Sequence, residues 1–299
     1  MLISVVIPHL NQENYLSIGL DALHAQRGTK SKIEFIVVDN GSVRLPELVC
    51  SRWPDVRLVL EPTPGPGPAR NRGVHEARGD ILAFIDADCR ADSGWLAAIE
   101  AAFADGQTQI IGGDVRVGYE QPARPTFVEP YESIYSYRNR EHIAEGFSGT
   151  GNLATLPAVM AAIGPFAGID VAEDQDWGLR ASAAGYVIRY VPEMVVYHPA
   201  RKTFSELTAK WDRHIAHHYG RTRAQRLSTL RWLARAIAVA GSPVFDMRTL
   251  LSSPRVSGPR ERLLAFFCLV AIRLYRAHRM VGVLLRDDGA ATLRGWNRK

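Results

Sequence analysis

The 299-residue sequence predicts an α/β fold, a mostly parallel sheet with helices on both faces, followed by a basic helical C-terminal tail. Three observations predict it. Short apolar runs alternate with helical periodicities through the first hundred residues, which is a βαβα series. Several of those runs end in Asp or Asn, at the strand ends where open α/β sheets place their ligands. Charge is also split along the chain: residues 1–200 hold 16 Lys+Arg against 25 Asp+Glu, and residues 201–299 hold 20 against 6. A net −9 body with a net +14 tail points to a polyanionic surface as partner.

The elements follow in order. Ile3–Pro8 is an apolar strand, and Asn14–Arg27 has helical spacing with Leu16, Leu20, Leu23 and Ala25 apolar. Ile33–Val38 is a second buried strand closing on Asp39-Asn40-Gly41-Ser42, a strong turn sequence. A short helix over Pro46–Trp53 leads to a third strand, Val56–Leu60. Pro62–Pro68 alternates proline with other residues, which excludes regular structure, and gives way to a helix through Arg78. Ile81–Ile85 is the fourth buried strand and stops in two acids, Asp86 and Asp88. In extended chain, residues two apart point the same way, so both carboxylates would face one side. Two carboxylates this close call for a cation between them.

Trp95–Ala104 reads as a helix capped by Asp92 or Ser93, Ile110–Val117 as a strand and Phe127–Arg140 as a helix. Phe147–Asn152 is a glycine-rich loop, Glu173–Ala184 a helix stopped by Gly185, and Val187–His198 strand material broken at Pro192. From Thr203 onward the chain is helical and basic. In Arg262–Arg286, a step of 100° per residue puts Leu263, Phe267, Val270, Leu274, Val281 and Leu285 on one stripe. Arg273, Arg276, Arg279 and Arg286 fall opposite. Such a helix either docks on the body by its apolar face or lies in a membrane interface with its arginines toward anionic head groups. The expected division is a body over residues 1–220 and a tail over 221–299.

The cysteines, Cys50, Cys89 and Cys268, are odd in number and far apart, neither a disulfide framework nor a zinc pattern, which suits a reducing compartment. The N-terminus reads as a strand and not a leader. No stretch reaches the ~18 apolar residues of a spanning helix. These features place the chain in the cytoplasm, peripheral on the inner face of the membrane. The basic region has no recognisable nucleic-acid reading module, so no nucleic-acid partner is expected. His214, His217 and His218 lie on a basic helix and read as surface residues, since imidazoles near arginines bind cations poorly.

One ordered set of motifs goes further. Ser4-Val5-Val6-Ile7-Pro8, Ile36-Val37-Val38-Asp39-Asn40-Gly41-Ser42, Gly67-Pro68-Ala69-Arg70-Asn71-Arg72-Gly73 and Phe84-Ile85-Asp86-Ala87-Asp88 are followed by Gly151-Asn152, Glu173-Asp174-Gln175-Asp176-Trp177, Ala184-Gly185-Tyr186 and Val195-Val196-Tyr197-His198. This set resembles the family 2 glycosyltransferases over about residues 3–200. The resemblance implies a GT-A fold, a nucleotide-diphosphate sugar donor, Mg2+ or Mn2+, and inverting transfer to a glycan or lipid-linked acceptor.

It further implies that Asp39 holds the uracil or ribose near Pro8 and Asn11, that Arg70 lies near the phosphates, and that Asp86 contacts ribose and metal shell. Asp88 would bind the metal directly, and His198 matches a position that in some relatives completes the metal site. Glu173 and Asp174 match the acidic pair that supplies the base, Asp174 being the better fit, and Asn152 falls on the acceptor side; Trp177, beside the acid pair, either lines the acceptor pocket or packs in the core. One departure stands out: His9-Leu10 follows the proline where the commonest start has a tyrosine and one residue more.

Rival readings fit less well. A nucleotidyltransferase of related fold would carry a glycine-rich signature with arginine and lysine after the first strand, where this chain has Pro8-His9-Leu10-Asn11. A basic nucleic-acid- or membrane-binding protein without catalysis, or an inactive scaffold, leaves Asp39, Asp86, Asp88 and Asp174 without purpose. Gln225 and Arg231-Trp232 have the wrong spacing for the Gln-x-x-Arg-Trp motif of processive polysaccharide synthases.

Overall fold

The computed structural model describes residues 1–169, 171–223 and 228–286. The chain divides into two compact units, residues 1–118 with 138–199, and residues 119–137 with the chain from Ala200 onward.

The first unit runs β1 (Leu2–His9), α1 (Glu13–His24), β2 (Lys32–Asp39), α2 (Glu47–Cys50), β3 (Val56–Leu60), α3 (Pro66–Glu76), β4 (Ile81–Ile85), β5 (Arg90–Ala91), α4 (Trp95–Phe103) and β6 (Ile110–Gly118). After α5 (Glu129–Tyr135), which belongs to the second unit, come α6 (Asn139–Ala144), β7 (Asn152–Thr155), α7 (Pro157–Ile163), α8 (Glu173–Ala183) and β8 (Ile188–Pro199). Eight strands form one sheet in the order β3-β2-β1-β4-β7-β6-β8-β5. The half that alternates with helices in sequence, β3-β2-β1-β4, is parallel as expected. The other half is mixed, because β7 runs antiparallel to both neighbours and β5 antiparallel to β8, while β6 and β8 are parallel.

The period of two is visible in the packing. Ile3, Val5 and Ile7 of β1 join Ile81, Ala83 and Ile85 of β4 in a core against Leu16, Leu20 and Trp95. The alternate residues Val6, Leu82 and Phe84 face the other side, against Leu153, Val159, Phe166 and Trp177.

Several local expectations are corrected. Helix α3 starts inside the proline-rich stretch, with Pro66 in its first turn, where a missing N–H costs nothing. The residue before α4 is Gly94, and no side chain caps it. The expected helix over Phe127–Arg140 is two helices, α5 and α6. The glycine-rich loop turns directly into β7 at Asn152. Strand β8 is continuous through Pro192, because the pairing jumps from Gly113↔Val191 to Asp114↔Val195 and leaves Pro192–Met194 as a bulge.

The second unit is helical: α5, α9 (Phe204–Arg223), α10 (Ser228–Gly241), α11 (Pro243–Ser252) and α12 (Gly258–Arg286). Leu207 of α9 packs with Val128 and Tyr131 against Cys268, Leu269 and Ile272 of α12. A division at residue 220 would therefore separate α9 from the helix it packs on. Trp232, read for its place in a motif, is buried with its Nε1 donating to the Met280 carbonyl (2.8 Å). Gln225 lies outside the described residues, as do the side chains of His217 and Arg286. His214 stands beside the Trp211 ring, 5.4 Å between centroids.

Helix α12 has the expected two faces in the opposite sense. Arg273 pairs with Asp246 (2.9 Å), Arg279 with Asp212 (2.9 Å), and Arg276 stacks 3.5 Å over Trp211. Leu263, Phe267, Leu274, Val281 and Leu285 are solvent-exposed. The periodicity fixes that two faces exist; the acids on α9 and α11 decide which one turns inward.

Gly113 sits at the register jump, where an added Cβ would lie 2.1 Å from the Met194 carbonyl and 2.3 Å from Asn152 Nδ2. Gly113→Ala should cost about 2–4 kcal/mol by overpacking. Gly94→Ala, with nothing within 4 Å of the new Cβ, should shift the thermal midpoint by much less. Thermal unfolding of the two variants checks this, and equal midpoints would show that the bulge is not tightly packed.

Candidate active site

Strands β1, β2 and β4 are parallel, so their carboxyl ends lie on one edge and bring His9, Asp39 and Asp86 together. His9 Nδ1 is 3.0 Å from Asp39 Oδ2, both residues being buried. The Gln12 amide donates to His9 Nε2 (3.1 Å), so the ring proton sits on Nδ1 and points at Asp39. Asp39 Oδ1 accepts the amides of Gly41 (3.1 Å) and Ser42 (3.0 Å). Burial alone would raise the Asp39 pKa, but the bonds from Ser42, His9 and Gly41 outweigh it and hold the carboxyl below its ordinary range. The side chain expected to hold a nucleotide is thus turned inward, and it ties the β1 loop to the β2 loop. Asn11 adds a second tie, in left-handed backbone (φ 54°), its Oδ1 accepting the Val43 amide (2.8 Å) and its own amide donating to Ser42 Oγ (2.8 Å). Pro8 pairs with Val38 one residue below. Asn11, Gln12, Tyr15 and Arg44 line a cavity of about 430 Å³ there.

Arg70, 3% exposed, projects from α3 into the centre of the edge. Its Nη2 donates to Asp86 Oδ1 (2.6 Å) and its Nη1 to Glu173 Oε1 (2.7 Å). Burial would weaken the cation's hold on its proton, and the two carboxylates more than offset this. Gly151 brings bare backbone against Asp86: a Cβ there would meet Asp86 Oδ2 at 2.6 Å.

The four acids therefore stand apart. Asp86 and Glu173 are bound by Arg70. Asp176 pairs with Arg180 (2.9 Å) one turn along α8. Asp174 takes the Gln175 amide on Oδ1 (2.7 Å), and among the described residues no cation pairs with it. None of the three α8 acids caps the helix; the N-cap position is Ala172.

Asp88 lies in the turn after β4 and not in extended chain. Its Oδ2 is 3.5 Å from His198 Nε2 and 3.5 Å from Gln12 Nε2. His198 Nδ1 donates to the Pro199 carbonyl (2.7 Å), which leaves Nε2 as the atom facing the carboxylate. Asp88 Oδ1 is buried with no partner. Burial pushes the Asp88 carboxyl up, His198 opposes this, and Asp86 adds to it. Asp88, Cys89 and His198 present ligand atoms within 4.8 Å of one another. An orphaned carboxylate oxygen beside an imidazole nitrogen whose other nitrogen holds a carbonyl fits a divalent cation. Cys89 is a poor third ligand, its thiol pushed well above the ordinary value by burial. Asp86 does not join this group.

Asn152, expected on the acceptor side, belongs to the core, and of the two readings of Trp177 the structure shows the packed one. Asn152 is fully buried, donating to the carbonyls of Asp114 (2.9 Å) and Met194 (2.8 Å) and accepting Trp95 Nε1 (2.8 Å). Trp177 is buried against Phe166, its Nε1 donating to Gly164 O (3.1 Å). Conversely, His9 and Gln12 bond on this edge although neither was given a role from sequence, His9 being noted among the polar groups at the strand ends and as a departure from the commonest start; its place at the end of a strand that pairs with the Asp39 strand was the available signal.

Known proteins resemble this chain in sequence and in fold. The family described as "Glycosyl transferase family 2" matches residues 4–175. Glycosyltransferase AglE of Haloferax volcanii is 31% identical over 215 residues, 70% of each chain. Among solved structures, the mannosyltransferase PcManGT from Pyrobaculum calidifontis in complex with GDP-Man and Mn2+ superposes with TM-score 0.58 at 18% identity, over 95% of this chain and 87% of that one. S. aureus TarS in complex with UDP-GlcNAc gives 0.54 at 17% identity, over 98% and 88%. The curled mixed sheet with helices on both sides is the GT-A fold.

Because the Asp39 pKa is depressed in the fold, its contribution is present above the unfolded value near 4 and lost as pH falls through the folded value. Asp39→Asn should therefore be less stable than wild type by about 1–3 kcal/mol at neutral pH, with the gap closing on acidification below about pH 4. Urea titrations across pH check this; a gap independent of pH would show that the carboxylate's charge is not what ties the loops.

Proposed function

The chain belongs to glycosyl transferase family 2, and on that premise we propose that it moves a sugar from a nucleotide-diphosphate donor to a hydroxyl acceptor with inversion. The observation that carries this reading is the separation of the acids. Arg70 binds Asp86 and Glu173, which leaves Asp174 as an unclamped carboxylate at the start of α8. The donor's nucleotide occupies the cavity beside Asn11 and Gln12, near Pro8 and Asp39 at the ends of β1 and β2. Asp86 and Arg70 close the diphosphate end. The donors and Mn2+ seen with the Pyrobaculum and S. aureus proteins support a nucleotide-sugar donor and a divalent cation here. Asp88 and His198 would hold Mg2+ or Mn2+, which stabilises the negative charge of a departing diphosphate as a Lewis acid.

The rest is done by the chain's own groups. Asp174 accepts the acceptor hydroxyl's proton as its oxygen bonds to the anomeric carbon, and the bond to the diphosphate breaks on the opposite face. A single carboxylate base suffices, since no glycosyl-enzyme forms as in a retaining hydrolase. Arg70 keeps Glu173 from competing for that proton and holds α8 against the strand end. The acceptor is a glycan or lipid-linked hydroxyl compound, and the protein works as a peripheral protein on the inner face of an anionic membrane.

Asp174→Asn should keep the fold and donor binding while turnover falls by roughly 10²–10⁴, the usual worth of a general base. Thermal shift with a panel of nucleotide sugars, with and without Mn2+, reads binding separately. Turnover within a few-fold of wild type would remove Asp174 from the mechanism.

A further inference from the structure

Helix α12 turns its charges inward and its apolar side outward. Arg262 donates to the carbonyls of Leu250 and Ser253, Arg273 and Arg279 pair with Asp246 and Asp212, and Arg276 lies over Trp211. The solvent side carries Leu263 (57% exposed), Phe267 (57%), Leu274 (53%), Val281 (36%) and Leu285 (79%). Steps of four and seven residues keep these on one stripe of the helix. At 1.5 Å per residue the stripe is about 33 Å long. The helices packed on α12 add Ile237 on α10 and Phe245 on α11, 74% and 85% exposed. An exposed apolar row of this length on a folded unit marks a contact surface.

We infer that this apolar row of α12, and not its arginines, seats in the interfacial layer of a bilayer carrying anionic lipids. Two features select that occupant. Residues 201–299 carry 20 basic against 6 acidic residues, which attracts anionic head groups and repels a second copy of the same surface. Arg231, Arg235, Arg248 and Arg260 remain exposed on the same unit to meet those head groups. Among the described residues no helix is long and apolar enough to cross a membrane, so the row lies along the surface. The inference deepens the peripheral placement proposed above and rests on it.

Flotation of the full-length protein with phosphatidylcholine vesicles, with and without phosphatidylglycerol, tests it. Wild type should float with the anionic vesicles and less with the neutral ones. Phe267→Glu with Leu274→Glu should lose at least tenfold in partitioning while its thermal midpoint and turnover stay at wild-type values, since both side chains are exposed. Arg235→Ser with Arg248→Ser should flatten the salt dependence and leave residual binding. A Phe267/Leu274 variant that floats like wild type would overturn the apolar row while leaving the peripheral placement intact. A wild type that ignores both vesicles would remove both. A dimer by light scattering that Phe267→Glu splits, with no vesicle binding, would assign the row to a second copy instead.

Discussion

A buried guanidinium organises the strand-end edge. Taking Arg70 out of water is costly, and only the two carboxylates at its ends compensate. One comes from the end of β4 and the other from the start of α8, elements far apart in sequence. Helix α3 can deliver the arginine because it lies close against the chain leading to α8. Gly67 admits the Ala167 carbonyl where any Cβ would sit 1.9 Å away, and Asn71 exchanges two 2.9 Å hydrogen bonds with the Phe166 backbone. The position of the acidic segment is therefore set by α3, and α3 is set by β1 and β2 through Gly73, whose missing side chain leaves room for Val6.

This constraint explains how neighbouring acids acquire different work. Acids packed together repel and raise each other's pKa. Here one cation absorbs two of them, an arginine one turn along α8 absorbs a third, and Asp174 is left over. Asp88 faces His198 across a gap that suits a cation. The His9–Asp39 pair performs the corresponding service for the loops after β1 and β2, tying them together from within.

The parallel half of the fold was legible because its strands are short apolar runs with polar ends, β2 and β4 stopping in acids and β1 in His9. Strand β7 was not, because four residues following Gly149 and Gly151 carry too little pattern, and its place between β4 and β6 is a long-range fact. The motifs located the site but not the direction of each side chain. Asn152 and Trp177 sit in the right segments and point into the core, since a motif position does not encode burial. Asp86 and Asp88 looked like two carboxylates on one side of a strand, yet β4 ends at Ile85 and both lie beyond it. Helix α12 makes the same point: its period was plain, while the inward turn of its arginines depends on Asp212, Trp211 and Asp246 on other helices.

The central claim is that Arg70, Asp86 and Glu173 act as one unit that leaves Asp174 to work alone. A double-mutant cycle on kcat/KM with Arg70→Met and Glu173→Gln, on protein shown by thermal unfolding to be folded, tests it directly. The account predicts a strong coupling, about 1–3 kcal/mol, with the double variant losing little more than Arg70→Met alone. Losses that simply multiply would mean that the two residues act independently, and would contradict it.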